Sequence, residues 1–368
     1  MFALSCRGCG SALPLDSRVW RCPSCGRALW LSSDRGFHSL DEIVCRDRRG
    51  IWRYSRALPF AERPVTLGEG GTPLVRGNFW GAELLLKLEY ISPTGAFKDR
   101  GASACITRAA ALSARSVVED STGNAGVAAA AYAARAGIGA RIYVPADAPA
   151  AKRGLMAALG SEVVECRNRG EAAARAVSEL REGELYIGHG WDPFYIEGMK
   201  TAAFEIFEAS VVPDAVIVPV ASGTLLLGLQ RGFGDLLRAG LMEMMPRLFG
   251  VQGESCAPLY EDLHGRVEVG VGSGLADGLR IADPPRRGEI VEAVRSSGGD
   301  VFVVSDPEIA AALRGLHRTG IMAEPTSAAA LAAFAKNRRE TGETIVVPVT
   351  GAGMKDVEGL MAALRSSP

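Results

Sequence analysis

The run Ser92-Pro93-Thr94-Gly95-Ala96-Phe97-Lys98-Asp99-Arg100-Gly101 leaves a loop punctuated by proline and glycine and opens an alanine-rich helical pattern. Lys98 therefore stands near a helix N-terminus. The positive end of that helix, with partial burial, disfavours the ammonium form and frees an amine that can attack a carbonyl. Such a lysine is a candidate Schiff-base nucleophile. A lysine paired with Asp99 on a helix surface is the plainer account of the same residues, so other loops must decide between them.

Further strand, turn and helix units place small and hydroxyl residues at their turns. Ser116 to Asp120 reads as a strand and Ala125 to Gly137 as a helix; between them Ser121, Thr122 and Gly123 offer main-chain amides to an anion such as a substrate carboxylate. Serine and asparagine in such turns also serve simply as helix caps. The apolar run Ala215 to Val220 turns through Ala221-Ser222-Gly223-Thr224 into Leu225, and these small residues let N–H groups close on a phosphate. The run Thr344 to Val349 ends in Thr350-Gly351-Ala352-Gly353, where the threonine hydroxyl can face a ring nitrogen. Any one of these is an ordinary parallel strand leaving its sheet; all of them in one chain are harder to dismiss.

At the N-terminus, Cys6-Arg7-Gly8-Cys9 and Cys22-Pro23-Ser24-Cys25 form paired Cys-x-x-Cys knuckles, a spacing suited to tetrahedral zinc. Arg7, Arg18, Arg21 and Arg27 are interleaved with them, as in a nucleic-acid-binding ribbon. The net charge of −1 and the lack of a long basic stretch favour a structural cap instead. Disulfides are the other reading of these cysteines, and no signal-peptide pattern supports it. Cys45, Cys105, Cys166 and Cys256 are scattered and read as buried free thiols in a reducing compartment.

With 368 residues, 48% of them hydrophobic, the chain can bury a large core, expected as two lobes plus the small ribbon. No uninterrupted apolar run reaches membrane-spanning length; the best, around residues 215 to 229, contains Pro219, Ser222 and Gly223. A cytoplasmic enzyme is expected.

The elements that must hold these residues alternate. Strands are predicted at Ala140 to Val144, Glu162 to Glu165, Leu248 to Gln252 and Val301 to Val304; helices at Ala150 to Leu159, Ala172 to Leu180, Pro307 to Thr319 and Thr326 to Arg338. This is an open α/β pattern with parallel strands. The glycine-rich tract Gly270 to Gly274 lacks the strand-to-helix placement of a dinucleotide fingerprint and is expected to be a loop near the active site.

From Gly68-Glu69-Gly70-Gly71-Thr72-Pro73-Leu74 to Val349-Thr350-Gly351-Ala352-Gly353-Met354-Lys355-Asp356, the chain resembles the tryptophan-synthase-β, or fold type II, family of pyridoxal phosphate enzymes. Phe97-Lys98-Asp99-Arg100-Gly101 is similar to the lysine motif of its threonine synthases. The resemblance implies that Lys98, next to Phe97 in the cofactor site, forms the imine and later moves protons. It implies that Asn124 bonds the ring hydroxyl, that Ser222, Gly223, Thr224 and Leu225 cradle the phosphate, and that Thr350 meets the pyridine nitrogen. A neutral hydroxyl there tempers the electron sink, which suits elimination and replacement rather than transamination. Ser121, Thr122 and Gly123 would hold the substrate carboxylate, with Lys152 beside a substrate phosphate. Glu324-Pro325-Thr326 matches a family helix start near the active site.

The same resemblance implies a small lobe over residues 92–205, a large lobe over 60–91 and 206–368, a cofactor between them, and a homodimer. Residues 1–50 are similar to the zinc-ribbon modules that precede some threonine synthases. The departures lie at His189 and Tyr195, where the synthases bring an Asn and an Arg to the substrate phosphate. An Arg-to-Tyr change removes a bidentate positive fork, so affinity for a dianionic phosphoester should fall. His189 can instead carry charge near neutral pH, or act as acid or base toward a different leaving group; a hydrogen-bonded structural histidine beside Trp191 is an equal reading of the same residue.

The family default is O-phosphohomoserine plus water giving threonine and phosphate. The alternative is β-elimination or β-replacement on an O-activated serine or another amino acid, as in cysteate-synthase-like or dehydratase-like relatives. A catalytically idle, cofactor-binding regulatory protein is a reading of another class; the joint presence of Lys98, Asn124 and Thr350 argues against it.

Overall fold

Burial on both faces marks the apolar, β-branched runs as strands covered by helices. The computed structural model describes residues 2–34, 36–121, 123–265, 274–355 and 357–365. Near the N-terminus, β1 (Phe2–Ser5), β2 (Ala12–Leu13) and β3 (Trp30–Ser33) form an antiparallel sheet of order β2-β1-β3. β4 (Leu74–Phe79) and β5 (Ala82–Lys87) follow as an antiparallel pair.

β6 (Ser116–Glu119), β7 (Gly139–Pro145), β8 (Glu162–Cys166) and β9 (Glu184–Tyr186) build a parallel sheet of order β8-β7-β6-β9. β10 (Ala215–Pro219), β11 (Arg247–Gly253), β12 (Val301–Val304) and β13 (Ile345–Pro348) join the earlier pair in a six-stranded sheet, order β12-β11-β10-β13-β5-β4. Every pairing in it is parallel except that of β4 with β5. The α/β class, the two open sheets and a small N-terminal sheet of its own are thus as expected.

Differences from the sequence reading have local causes. The predicted helix at Ala172 starts earlier, at Arg169, because the Asn168 side chain accepts from Glu171 N at 2.9 Å and caps it. Edge strand β4 is half exposed and carries no continuous apolar run, so it gave no strand signal. Of the glycine-rich tract, Gly270 to Ser273 lie outside the described residues. Among the described residues, no helix is long and apolar enough to cross a membrane.

The loops of interest leave the C-terminal ends of β6, β10 and β13, the side of an open α/β sheet on which ligands bind. The main core joins the ribbon to the body: Leu4, Leu29, Trp30 and Leu31 share one buried cluster with Phe194, Tyr195, Ile196 and Met199.

Candidate active site

Lys98 is the first residue of the Lys98–Ala111 helix. Burial pushes its amine down to about 8, against the pull of the Glu119 and Glu324 carboxylates. Nζ lies 3.5 Å from Ser222 Oγ, 4.6 Å from the centre of the Phe97 ring and 5.7 Å from that of Tyr195. The loop before it is fixed by main-chain bonds: Phe97 N donates to Thr350 O at 3.0 Å, and Ala352 N to Gly95 O at 2.9 Å. Lysine loop and threonine loop therefore form one unit.

A buried charge cluster anchors the start of the same helix. Arg100 donates to Glu89 at 2.7 Å and to Glu205 at 2.6 Å, and Lys87 Nζ reaches Glu205 at 2.6 Å. All four side chains are buried, but the two cations and two carboxylates compensate one another. Asp99 faces elsewhere: it accepts from Thr94 N at 2.7 Å and from the Thr94 hydroxyl, closing the preceding turn. It does not pair with Lys98, which removes the plain surface-pair account.

The β6 loop brings Ser121, Gly123 and Asn124 to this place, and Thr122 lies outside the described residues. A Cβ built on Gly123 would stand 4.0 Å from Lys152 Nζ, so that ammonium borders the loop amides. Asn124 Nδ2 donates to Glu324 at 3.1 Å, and its Oδ1 accepts from Lys355 Nζ at 2.6 Å. The Thr350 hydroxyl shares a hydrogen bond of 3.0 Å with that of Ser327.

Beyond β10, Gly223 takes the left-handed conformation, φ 74°, as N-cap of the Thr224–Arg238 helix. Thr224 Oγ1 is buried with no partner among the described residues. A free helix N-terminus, an orphaned hydroxyl and a buried amine form an electropositive cradle that fits the phosphate and aldehyde of pyridoxal phosphate.

His189 Nδ1 lies 2.8 Å from Glu119 Oε1. Burial pushes the carboxyl of Glu119 up to about 8 and the imidazole of His189 down to about 3. Near neutral pH this is a neutral hydrogen-bonded pair. Tyr195 is buried and donates its hydroxyl to the Lys98 main-chain oxygen at 3.0 Å.

Sequence reasoning missed Glu119 and Lys355. A carboxylate closing the otherwise apolar strand Ser-Val-Val-Glu was the available signal for the first; nothing local distinguished the second. At the N-terminus, the Sγ atoms of Cys6, Cys9, Cys22 and Cys25 lie within 4.8 Å of one another. A tetrahedral zinc with bonds of about 2.3 Å separates its sulfurs by roughly 3.8 Å, which this cluster can accommodate.

Comparison with known proteins gives the site a context. Residues 65–351 match the family model described as "Pyridoxal-phosphate dependent enzyme". The threonine synthase of Methanocaldococcus jannaschii is 33% identical, the match covering 98% of this chain and 94% of that protein. That of Mycobacterium bovis is 34% identical over 86% of this chain and 91% of its own. Among solved structures, maize serine racemase aligns with a TM-score of 0.65 at 25% identity, covering 80% of this chain and 91% of that one. The family match spans the lysine loop, the β6 and β10 loops and Thr350, so the chain belongs to the fold type II pyridoxal-phosphate dependent enzymes.

Proposed function

We propose that this enzyme uses Lys98 to eliminate or replace a side-chain substituent of an amino acid, in the manner of a threonine synthase. The observation that carries the reading is the buried Lys98 amine, lowered to about 8 and held between the Ser222 and Thr350 loops. When bound, pyridoxal phosphate supplies an aldehyde for that amine and an electron sink for charge developing at Cα.

The chain's own residues do the rest. Lys98 Nζ takes and returns the α-proton, a task suited to an amine poised near neutral pH. The amides of Ser222, Gly223, Thr224 and Leu225, with the Thr224 hydroxyl, bind phosphate at a helix N-terminus. Asn124 and Thr350 orient the ring; Ser121 and Gly123, beside Lys152, hold the substrate carboxylate. On the same reading residues 92–205 form a lobe that closes on the remainder and excludes water. The four N-terminal thiols hold a structural zinc, and two copies of the chain associate as a dimer.

Relatives named threonine synthase support phosphohomoserine as substrate. A second reading, elimination or replacement on a serine-type substrate, is favoured by the neutral His189–Glu119 pair and the inward-turned Tyr195 hydroxyl. The test is reconstitution with the cofactor: a visible absorption band and turnover should both vanish in Lys98→Ala. A variant still turning over at full rate ends the proposal. Phosphate release and amino-acid product from phosphohomoserine and phosphoserine separate the two substrates.

A further inference from the structure

The geometry points to Glu119 and His189 as a proton relay to the substrate's leaving oxygen, and hence to an α-amino acid with a free β-hydroxyl as the substrate class. This rests on the elimination reading at Lys98 and specifies its leaving group.

Glu119 is fully buried at the C-terminal end of β6, where one oxygen meets His189 Nδ1 at 2.8 Å and the other, Oε2, is buried with no partner among the described residues. Burial favours the protonated form of this carboxyl, against the pull of the His189 amide at 3.5 Å and of the Lys98 charge, so it can store a proton. Its neighbour Asp120 is not part of the pair, because it accepts from Tyr186 Oη at 2.7 Å. The Tyr195 ring stands 6.0 Å from the His189 ring and 5.7 Å from Lys98 Nζ, which puts imidazole and amine around one aromatic wall. Among the described residues, His189 Nε2 has no hydrogen-bond partner, so it is available to a ligand.

Of the described cations near the cleft, Lys355 and Arg169 are already engaged. Lys152, which the family resemblance sets beside a substrate phosphate, borders Gly123, where the carboxylate is expected. Lys355 is bonded to Asn124 Oδ1 and offset by Glu324. Arg169, whose charge reaches His189, is held by Asp277 at 2.7 Å. Among the described residues on the His189 side, no unengaged guanidinium fork stands ready for a phosphate dianion.

The step balances within the chain. Lys98 takes the α-proton, and the electron pair left behind becomes the Cα–Cβ double bond as the Cβ–O bond breaks onto oxygen. That oxygen takes the Nε2 proton of His189 and leaves as water, while Nδ1 takes the proton of Glu119. Lys98 ends as an ammonium and Glu119 as a carboxylate, charges that attract. Return of one proton from Lys98 to Glu119 resets the site, and no outside acid is consumed.

The experiment uses the purified holoenzyme with L-serine and L-threonine against phosphohomoserine and phosphoserine, following 2-oxo acid and phosphate. The expected result is kcat/KM at least about tenfold higher for the hydroxy acids. His189→Gln should lower kcat on them on the order of 10²-fold, the scale of general acid catalysis, with KM and the cofactor band kept. Wild-type kcat should fall as pH rises past the Glu119 value, and Glu119→Gln should slow turnover and abolish that basic limb. Lys98, Asp120, Arg169 and Tyr195 face the pair and stay in every variant.

Preference for the phosphoesters, no turnover of hydroxy acids by a protein that shows the band, or an unchanged His189→Gln kcat each overturns the relay while leaving the Schiff-base reading intact. Lack of any Lys98-dependent band overturns both, and it is read before any substrate is added.

Discussion

Tyr195 occupies the space that a side chain on Gly101 would need: a Cβ built on that glycine would sit 2.1 Å from Tyr195 Cδ1. The same tyrosine bonds the main-chain oxygen of Lys98. Gly101→Ala must therefore move the ring or the helix, costing about 1–3 kcal/mol as overpacking does. Thermal unfolding should show a lower Tm, and cofactor titration a weaker Kd, because the displaced ring holds the lysine's own peptide. An unchanged Kd would show that the ring and the amine are independent.

Acid should attack the Arg100 cluster. Burial works against the Glu205 carboxylate, yet Arg100 and Lys87 hold it down to about 2 from its ordinary value of 4.5. A depressed carboxylate contributes stability in full above its unfolded value and loses it as pH falls through the folded one. Denaturant midpoints should therefore drop between pH 4.5 and about 2. Glu205→Gln leaves buried cations short of a partner, a loss of about 3–5 kcal/mol near neutral pH, and should flatten that acid slope.

The poised amine can be read directly. Reductive alkylation of the apoenzyme with a small aldehyde, followed by peptide mass spectrometry, should label Lys98 with an inflection near pH 8. Exposed lysines in general inflect near 10.4. Because the Glu324 carboxylate opposes the downward shift, Glu324→Gln should lower the inflection further. An inflection near 10 for Lys98 would contradict the buried setting.

Metal content tests the ribbon. Native mass spectrometry should find one zinc per chain, lost in Cys6→Ser or on strong chelation. Binding of this kind contributes folding free energy, so the Tm of the depleted protein should fall. The indole of Trp30 bonds Glu289 of the body at 2.7 Å, making its fluorescence a reporter of ribbon release. Identical Tm and emission with and without metal would refute a structural role.

Long periodic segments were legible in the sequence, whereas contacts between distant segments were not. β12 at Val301–Val304 was read to the residue, and the Pro325–Asn337 helix within one, because apolar runs and N-terminal proline mark such elements locally. Gly137, left-handed at φ 69°, ended its helix where glycine usually does. The two-residue turn between β4 and β5 carries Gly81 at φ 77°, but Trp80 at φ 52° before it is an unusual partner and masked the signal. Within the site, Lys98 and the glycine-flanked loops were visible because chemistry demands unusual residues there. Glu119 reaches His189 across 70 positions, and Lys355 reaches Asn124 across 231, so only the fold introduces them.

Arg108 and Arg286 are buried in the body, and each spends hydrogen bonds on main-chain oxygens of the ribbon. Arg108 donates to Ser17 O at 2.7 Å while pairing with Asp192, and Arg286 donates to Leu29 O at 2.6 Å and to Trp191 O at 2.7 Å. Both arginines thus clasp the two sides of the segment that presents His189. Excising the first fifty residues would take away the Ser17 and Leu29 acceptors and open both guanidinium groups to water, leaving Arg108 with Asp192 and Arg286 with Glu289, Gly190 and Trp191, immediately behind the segment that carries His189. An N-terminal deletion is accordingly a poor way to simplify this enzyme for crystallisation or engineering, and a graft of its body onto another scaffold must bring those acceptors along.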